Sequence, residues 1–178
     1  MNRLLRSFFD RPTLIVAQEL LGKILVIGPC SGRINEVEAY IGEGDPACHA
    51  ARGKTGRNKV MYGRAGHLYV YFTYGMYHCA NIVTEKKDFP AAVLLRSIEP
   101  LSGIDQMEKR RGKKDHLADG PGKLCIALGM DKLSHNGTDL CDKGDSYVVD
   151  DGFRPIGIKK SRRIGISAGR DKWWRFYY

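Results

Sequence analysis

The sequence lacks the features that mark several large protein classes. Its five cysteines are odd in number, widely spaced and include no Cys-x-x-Cys pair, which argues against a disulfide framework and a zinc knuckle. No apolar run approaches the roughly 18 residues of a membrane span, and no secretory signal is recognisable. The histidines show no ligand spacing, and no glycine-rich phosphate loop follows a strand. We therefore expect a soluble intracellular protein with no bound metal, no cofactor and no membrane contact.

Acidic residues are also few relative to basic ones. Asp and Glu number 20 against 29 Lys and Arg, so the formal net charge is +9. Such a chain is attracted to polyanions, which makes nucleic acid the leading partner, an anionic membrane the second, and simple solubility the alternative. Hydrophobic residues make up 43%, which excludes a disordered chain, and the length of 178 residues suits one compact domain. Residues 1–178 are therefore predicted to form a single domain.

The hydrophobic periodicity predicts more strand than helix. A helix is expected to begin near Asp10, as a possible cap, and to end at Gly22. The other predicted helices are 103–111 and 123–128, and the predicted strands are 23–27, 33–40, 67–73, 77–84, 91–98, 147–149, 162–167 and 175–177. Because most strands follow one another directly, we expect an α+β fold with a curved, mainly antiparallel sheet and flanking helices. The long segment 42–66 is rich in Gly, Arg and Lys and is predicted to be a functional loop.

One predicted strand carries two carboxylates on the same face. Glu36, Glu38 and Tyr40 alternate with Val37 and Ala39, so their side chains point in the same direction. A carboxylate in this position could act as a general base on water. The alternative is a solvated strand face with ion pairs to nearby arginines, and the strand pattern alone favours that alternative.

An aromatic segment follows the long loop. Tyr69 and Tyr71 share one strand face, and Tyr74 and Tyr77 complete four tyrosines within nine residues. Such rings can stack on nucleobases, or they can form an ordinary core cluster. Tyr74 and Met76 flank a glycine where the strand pattern breaks, and an aromatic at a turn suits a wedge that enters a base stack.

His49 lies in the long loop among basic residues. Arg52, Lys54, Arg57 and Lys59 follow it within ten positions. This density of positive charge suits phosphate contacts, although a run of charges is more often a solvated face. A lone loop histidine is likewise more often a solvated or capping residue than a catalytic one.

Taken together, these segments resemble the alkyladenine (3-methyladenine) DNA glycosylase family. The resemblance runs in one order along essentially the whole chain. The blocks that carry it are Glu36-Val37-Glu38-Ala39-Tyr40, Asp45 to His49, Arg52-Gly53, Arg57-Asn58, Leu68 to Tyr71, Tyr74-Gly75-Met76-Tyr77, Cys79-Ala80-Asn81, Val93 to Arg96, Glu99-Pro100-Leu101, Gly120 to Cys125 and Arg175-Phe176-Tyr177. The Tyr-Gly-Met-Tyr and Glu-Ala-Tyr blocks together are more specific than any single motif.

The resemblance implies a role for each matching residue. Glu38 is expected to be the general base that activates water, and Asn81 to disfavour guanine by crowding its 2-amino group. The residues expected to line the base pocket are Tyr40, His49, Tyr71 and Arg96. The residues expected to contact DNA are Tyr74, which fills the gap in the duplex, with Met76, Tyr77, Arg52 and Arg57.

The resemblance also implies a reaction. It is excision of damaged purines (3-methyladenine, 7-methylguanine, hypoxanthine and ethenoadenine) from duplex DNA by base flipping, in base-excision repair. The matching blocks offer no evident imine-forming lysine, so a monofunctional enzyme that leaves an abasic site is expected. We expect a monomer, cytoplasmic and nucleoid-associated in a bacterium or nuclear in a eukaryote.

Two other functions are weighed against this one. A non-catalytic nucleic-acid binding module would explain the charge and the tyrosines but would give Glu38 no task. A sugar glycosidase could use Glu36 and Glu38 as an acid–base pair. Residues two apart on one strand point the same way, roughly 6.5 to 7 Å apart, and cannot easily flank a sugar from opposite faces.

Overall fold

A single antiparallel sheet of nine strands dominates the computed structural model, which describes residues 2–178. The strands are β1 (Asn2–Arg3), β2 (Ile24–Ile27), β3 (Cys30–Ile41), β4 (Leu68–Thr73), β5 (Tyr77–Val83), β6 (Ala91–Ser102), β7 (Ser146–Asp150), β8 (Lys159–Ser161) and β9 (Arg175–Tyr177). Their main order is β1-β7-β2-β3-β6-β5-β4, while β9 pairs with both β3 and β8. The predicted α+β class with a mainly antiparallel sheet is confirmed.

The helices are short and pack against this sheet. They are α1 (Arg6–Phe9), α2 (Thr13–Leu20), α3 (Ile104–Arg111), α4 (Pro121–Leu128) and α5 (Lys132–His135). In α2, Val16, Ala17 and Leu20 are completely buried, as its apolar spacing predicts. Within residues 2–178, no helix has both the length and the apolar character needed to cross a bilayer.

The start of α2 differs from the prediction. Asp10 lies at the end of α1 and does not cap α2. The carboxylate that does this is Glu85, whose Oε1 accepts hydrogen bonds from the Thr13 backbone N–H at 2.7 Å and from the Thr13 hydroxyl at 2.9 Å. An acceptor from a distant loop thus satisfies one of the free N–H groups at the beginning of the helix.

Strand β3 is the strand that positions the site. It pairs with β6 along one edge, while its other edge pairs first with β2 and then with β9. Val37 and Ala39 are completely buried in the main hydrophobic core, so Glu36, Glu38 and Tyr40 face the other side of the sheet. The face predicted from alternation is therefore correct, although β3 is longer than the predicted strand.

The predicted strand at 162–167 is wrong. Strand β8 ends at Ser161, and the chain from Arg162 onward forms a loop. Gly165 and Gly169 adopt positive φ values of +73° and +63°, which extended backbone does not allow. The N–H of Ile164 donates to a side chain instead of a neighbouring strand. The alternation of apolar and polar residues here thus results from a loop that folds over the site.

The long loop predicted at 42–66 is ordered by its own contacts. Asn58 is buried, and its Nδ2 donates to the carbonyl oxygens of His49 at 2.8 Å and Gly53 at 3.0 Å. A second cluster of buried side chains, which includes Met61 and Tyr69, lies beneath this loop. The loop is therefore a fixed wall on which His49 has a defined position.

Candidate active site

A cavity of about 440 Å³ opens on the face of the sheet that carries Glu38. Its walls come from the end of β3, the loop after it, strands β4, β5 and β6, and the loop after β8. The predicted residues that line it are Tyr40, His49, Tyr71, Tyr74, Asn81 and Arg96. The fold thus brings together around one cavity six residues that are spread between positions 40 and 96 of the sequence.

Glu38 lies directly behind the wall of this cavity and has no exposed surface. Its Oε2 accepts a 2.8 Å hydrogen bond from the Tyr40 hydroxyl. Its Oε1 accepts a 2.8 Å hydrogen bond from the backbone N–H of Ile164 and lies 3.2 Å from Nη1 of Arg96. All three donors belong to residues that line the cavity, so the carboxylate lies one layer of side chains behind the cavity surface.

The Tyr40 hydroxyl is a stable donor in this arrangement. Burial raises the pKa of Tyr40, and the negative charge of Glu38 raises it further. The phenol therefore keeps its proton at neutral pH and donates to Glu38.

Glu36 forms part of an ion-pair network beside the cavity. Its Oε1 lies 2.6 Å from Nε of Arg96 and 2.6 Å from Nε of Arg175. Burial would raise the pKa of Glu36, but hydrogen bonds and charge from the two guanidinium groups outweigh it and lower that pKa. The ion-pair interpretation of the strand-face carboxylates is therefore correct for Glu36, which fixes the orientation of Arg96.

Aromatic rings form the opposite wall. The His49 ring meets the Tyr71 ring edge to face, with centroids 4.5 Å apart, and Tyr69 lies 5.4 Å from Tyr71. His49 Nδ1 and the Tyr69 hydroxyl share a 2.9 Å hydrogen bond. Loss of water around the ring, with a smaller effect from Arg57, lowers the pKa of His49 to about 4, although part of the residue remains exposed. The ring is thus neutral at physiological pH.

Asn81 forms part of the wall between β4 and β6. It is buried, and its Nδ2 donates a 3.0 Å hydrogen bond to the Tyr69 carbonyl oxygen. This bond fixes the side-chain amide against strand β4, so the shape of the cavity at this point is defined by a held side chain.

The predicted DNA contacts lie at the rim. Tyr74 is 79% exposed and has a positive φ of +52° at the turn between β4 and β5. Met76 and Tyr77 are also exposed on this turn, but they do not line the cavity. The Arg57 guanidinium lies 5.2 Å from the centre of the Tyr71 ring. Arg52 is exposed on the same loop and lies outside the cavity lining.

Sequence reasoning missed the loop that closes the site. Ile164 to Ala168 line the cavity, and the preceding Arg163 is buried in a bidentate ion pair with Asp45. In the sequence, Asp45 is marked only as the start of the block that contains His49. A mixed run of arginines, isoleucines and glycines carries no local signal for this arrangement, because the partner lies 118 residues away.

Among the described residues 2–178, no group of three or more His, Cys, Asp and Glu side chains is placed to hold a metal ion. That no metal or cofactor takes part stays a prediction.

Comparisons with known proteins identify the family of this chain. The family model described as Methylpurine-DNA glycosylase matches residues 7–178. Among relatives whose names contain the words 3-methyladenine DNA glycosylase, one from Methanocella arvoryzae is 52% identical, covering 97% of this chain and 90% of the relative. One from Wolbachia pipientis is 50% identical, covering 96% and 88%, and one from Clostridium perfringens is 45% identical, covering 98% and 95%. This chain therefore belongs to the methylpurine-DNA glycosylase family and is a DNA glycosylase, a DNA repair enzyme that hydrolyses N-glycosyl bonds.

Proposed function

We propose that this glycosylase removes damaged purines from duplex DNA by flipping them into the cavity, where Glu38 activates the attacking water. The substrates are 3-methyladenine, 7-methylguanine, hypoxanthine and ethenoadenine. The observation that carries the proposal is a fully buried carboxylate directly behind the wall of an aromatic cavity. Burying a carboxylate costs free energy unless it is paired and hydrogen-bonded, and here all three partners of Glu38 belong to residues that line the cavity.

The walls of the cavity suit a flipped base. A base inside a duplex cannot be reached by a catalytic group, so it must leave the stack at a cost of a few kcal/mol. Tyr40, His49 and Tyr71 offer ring faces and edges that recover part of this cost by stacking. Tyr74, exposed at the rim, is placed to fill the gap that the base leaves in the duplex.

The proposed chemistry uses both oxygens of Glu38. Arg96 and the Ile164 N–H hold Oε1, while Oε2 accepts only the Tyr40 hydroxyl. When a base enters, a water binds beside that hydroxyl at the second lone pair of Oε2. The N-glycosidic bond breaks and the base leaves with the bonding electron pair: a cationic alkylated purine leaves as a neutral base, and an uncharged one takes up a proton from solvent. The water attacks the sugar carbon and gives its proton to the carboxylate. The negative charge of Glu38 also stabilises the oxocarbenium-like transition state.

Charge in the pocket favours alkylated bases. His49 is neutral at physiological pH, so it does not repel a purine that carries the positive charge of alkylation. The faces of Tyr40 and Tyr71 attract such electron-poor rings. The held amide of Asn81 narrows the cavity, which disfavours, without excluding, a base with a 2-amino group; undamaged guanine also lacks the positive charge of 7-methylguanine.

Water, and not a protein amine, is the nucleophile. Among the described residues, those that line the cavity include no lysine. No lining side chain therefore supplies an amine that could form an imine with the sugar, and the product is an intact strand with an abasic site.

Because a single chain supplies every wall of the cavity, we propose that the enzyme acts as a monomer.

The test is an excision assay on duplex oligonucleotides that carry one lesion each. Treatment with the protein and then with alkali should break the strand at the lesion, while the same duplex with an undamaged adenine should remain intact. A break without alkali would contradict the monofunctional mechanism. Absence of any break across the four lesions would refute the proposed substrates.

A further inference from the structure

We infer that the buried ion pair between Arg163 and Asp45 is a positioning device that sets two of the three hydrogen-bond donors around Glu38. Neither residue touches the cavity ligand in this account, so both are positioning residues. The inference rests on the proposed role of Glu38. It adds that β3 alone does not position the hydrogen-bond donors around Glu38, and that the loop after β8 is needed as well.

Arg163 donates four hydrogen bonds through its two terminal nitrogens. Its Nη1 and Nη2 lie 2.6 Å and 2.8 Å from the two carboxylate oxygens of Asp45, and both side chains are fully buried. Nη1 also donates to the Ala39 carbonyl oxygen at 3.0 Å, and Nη2 to the Gly169 carbonyl oxygen at 3.3 Å. The guanidinium group therefore joins β3, the loop after β3 and the far end of its own loop.

Asp45 ties this guanidinium group to the turn that follows β3. Its Oδ2 accepts a 3.3 Å hydrogen bond from the Ile41 N–H, and its Oδ1 accepts a 3.2 Å hydrogen bond from the Ala47 N–H. The same turn leads to His49. The pair thus fixes the loop that carries His49 relative to the loop that closes the cavity.

The first donor that depends on the pair is the N–H of Ile164. Ile164 follows Arg163 directly, and its N–H donates to Oε1 of Glu38 at 2.8 Å. The loop after β8 has no helix or strand of its own to hold it there. The Arg163 contact to the Ala39 carbonyl, one residue after Glu38, is what brings this N–H within reach.

The second donor is the Tyr40 hydroxyl. The Arg163 guanidinium lies 4.6 Å from the centre of the Tyr40 ring, on its face. It therefore limits the positions that the ring adopts while its hydroxyl donates to Oε2 of Glu38 at 2.8 Å. Both carboxylate oxygens thus receive a donor whose place depends on Arg163.

The energetics of burial favour a positioning role over a stabilising one. Moving two charged groups out of water costs free energy that can equal or exceed the gain from their attraction. Replacing a buried ion pair by apolar side chains is therefore often neutral or stabilising. Arg163 also keeps its Nε buried without a hydrogen-bond partner. The bidentate pair fixes the relative orientation of the two side chains, because the two terminal guanidinium nitrogens and the two carboxylate oxygens must be aligned at the same time.

The key variant is Asp45→Asn/Arg163→Met, which removes both charges and so leaves no uncompensated buried ion. Arg163→Lys is the second variant, since it keeps the charge but cannot contact both Asp45 oxygens and Ala39. Asp151→Asn is the matched control, because it removes another bidentate pair, with Arg33 at 2.7 Å and 3.1 Å, away from the cavity. For each, the single-turnover excision rate, the affinity for a lesion duplex and the thermal unfolding midpoint are measured.

The double variant should stay folded and bind the lesion duplex, while its single-turnover rate falls by about tenfold or more. Arg163→Lys should also lose rate, and Asp151→Asn should keep the wild-type rate.

A folded double variant with the wild-type rate would overturn the inference and leave the proposed function intact. A wild-type protein without excision on any lesion would instead overturn the proposed function, and this inference with it. A rate that falls only in proportion to the unfolded fraction would assign the pair to stability and also overturn the inference.

Discussion

The backbone N–H of Ile164 donates a 2.8 Å hydrogen bond to Oε1 of Glu38, although 126 residues separate them in the chain. One atom comes from a regular strand and the other from a loop without regular structure. The candidate catalytic carboxylate is therefore supplied by the sheet, but its environment is completed by the last part of the chain.

The exposed tyrosine at the rim should matter for DNA and not for folding. Tyr74→Ala removes a side chain that is 79% exposed, so the free energy of unfolding should change by less than about 0.5 kcal/mol. Affinity for a lesion duplex should fall by about tenfold, since the loss of one aromatic stacking contact costs about 1–3 kcal/mol.

The control for this variant is Leu133→Ala, which removes a 97% exposed side chain that does not line the cavity. Both variants are compared by fluorescence anisotropy on the same lesion duplex. Equal affinity of Tyr74→Ala and wild type would remove Tyr74 from its role as a wedge.

His49 should remain uncharged through the physiological range. Loss of water around the ring and the nearby Arg57 lower its pKa to about 4, so the ring stays neutral as the pH falls from 8 to about 5 and gains its proton only below that. A proton NMR titration follows the ring resonance, which is assigned by its loss in His49→Gln. The midpoint should lie near pH 4. A midpoint near the ordinary value of about 6.5 would show a solvated loop histidine instead.

Arg57 should contribute a phosphate contact that is independent of sequence. Its guanidinium is exposed beside the Tyr71 ring at the rim of the cavity. Arg57→Ala should weaken binding to lesion and undamaged duplexes by a similar factor, and the slope of log affinity against log salt should decrease by about 1. Lys143→Ala, at an exposed position before β7, should leave the slope unchanged. A slope in Arg57→Ala equal to that of wild type would place Arg57 off the DNA.

Much of the site followed from local rules. Strand alternation placed Glu36, Glu38 and Tyr40 on one face, because the side-chain period of a strand holds wherever the strand is regular. The break in the pattern at Tyr74-Gly75 predicted an exposed turn, and the turn is there with a positive φ at both residues.

What could not be predicted depends on tertiary partners. The helix α2 is capped by Glu85, 72 residues after Thr13, and a sequence window around Asp10 does not contain that information. The loop after β8 has strand-like alternation, but the buried contact between Arg163 and Asp45 determines its path. Distant charge pairs of this kind override local propensity, since a buried guanidinium group must find its carboxylate.

Glu38→Gln tests the central claim most directly. Glutamine keeps the size of the side chain and an oxygen that accepts the Ile164 N–H, but it cannot take a proton from water. Glu99→Gln, at an exposed carboxylate on β6, is the matched control. We expect Glu38→Gln to bind the lesion duplex within about threefold of wild type and to lose excision by at least about a thousandfold in single turnover. Excision by Glu38→Gln at a rate close to that of Glu99→Gln would contradict the assignment of Glu38 as the general base.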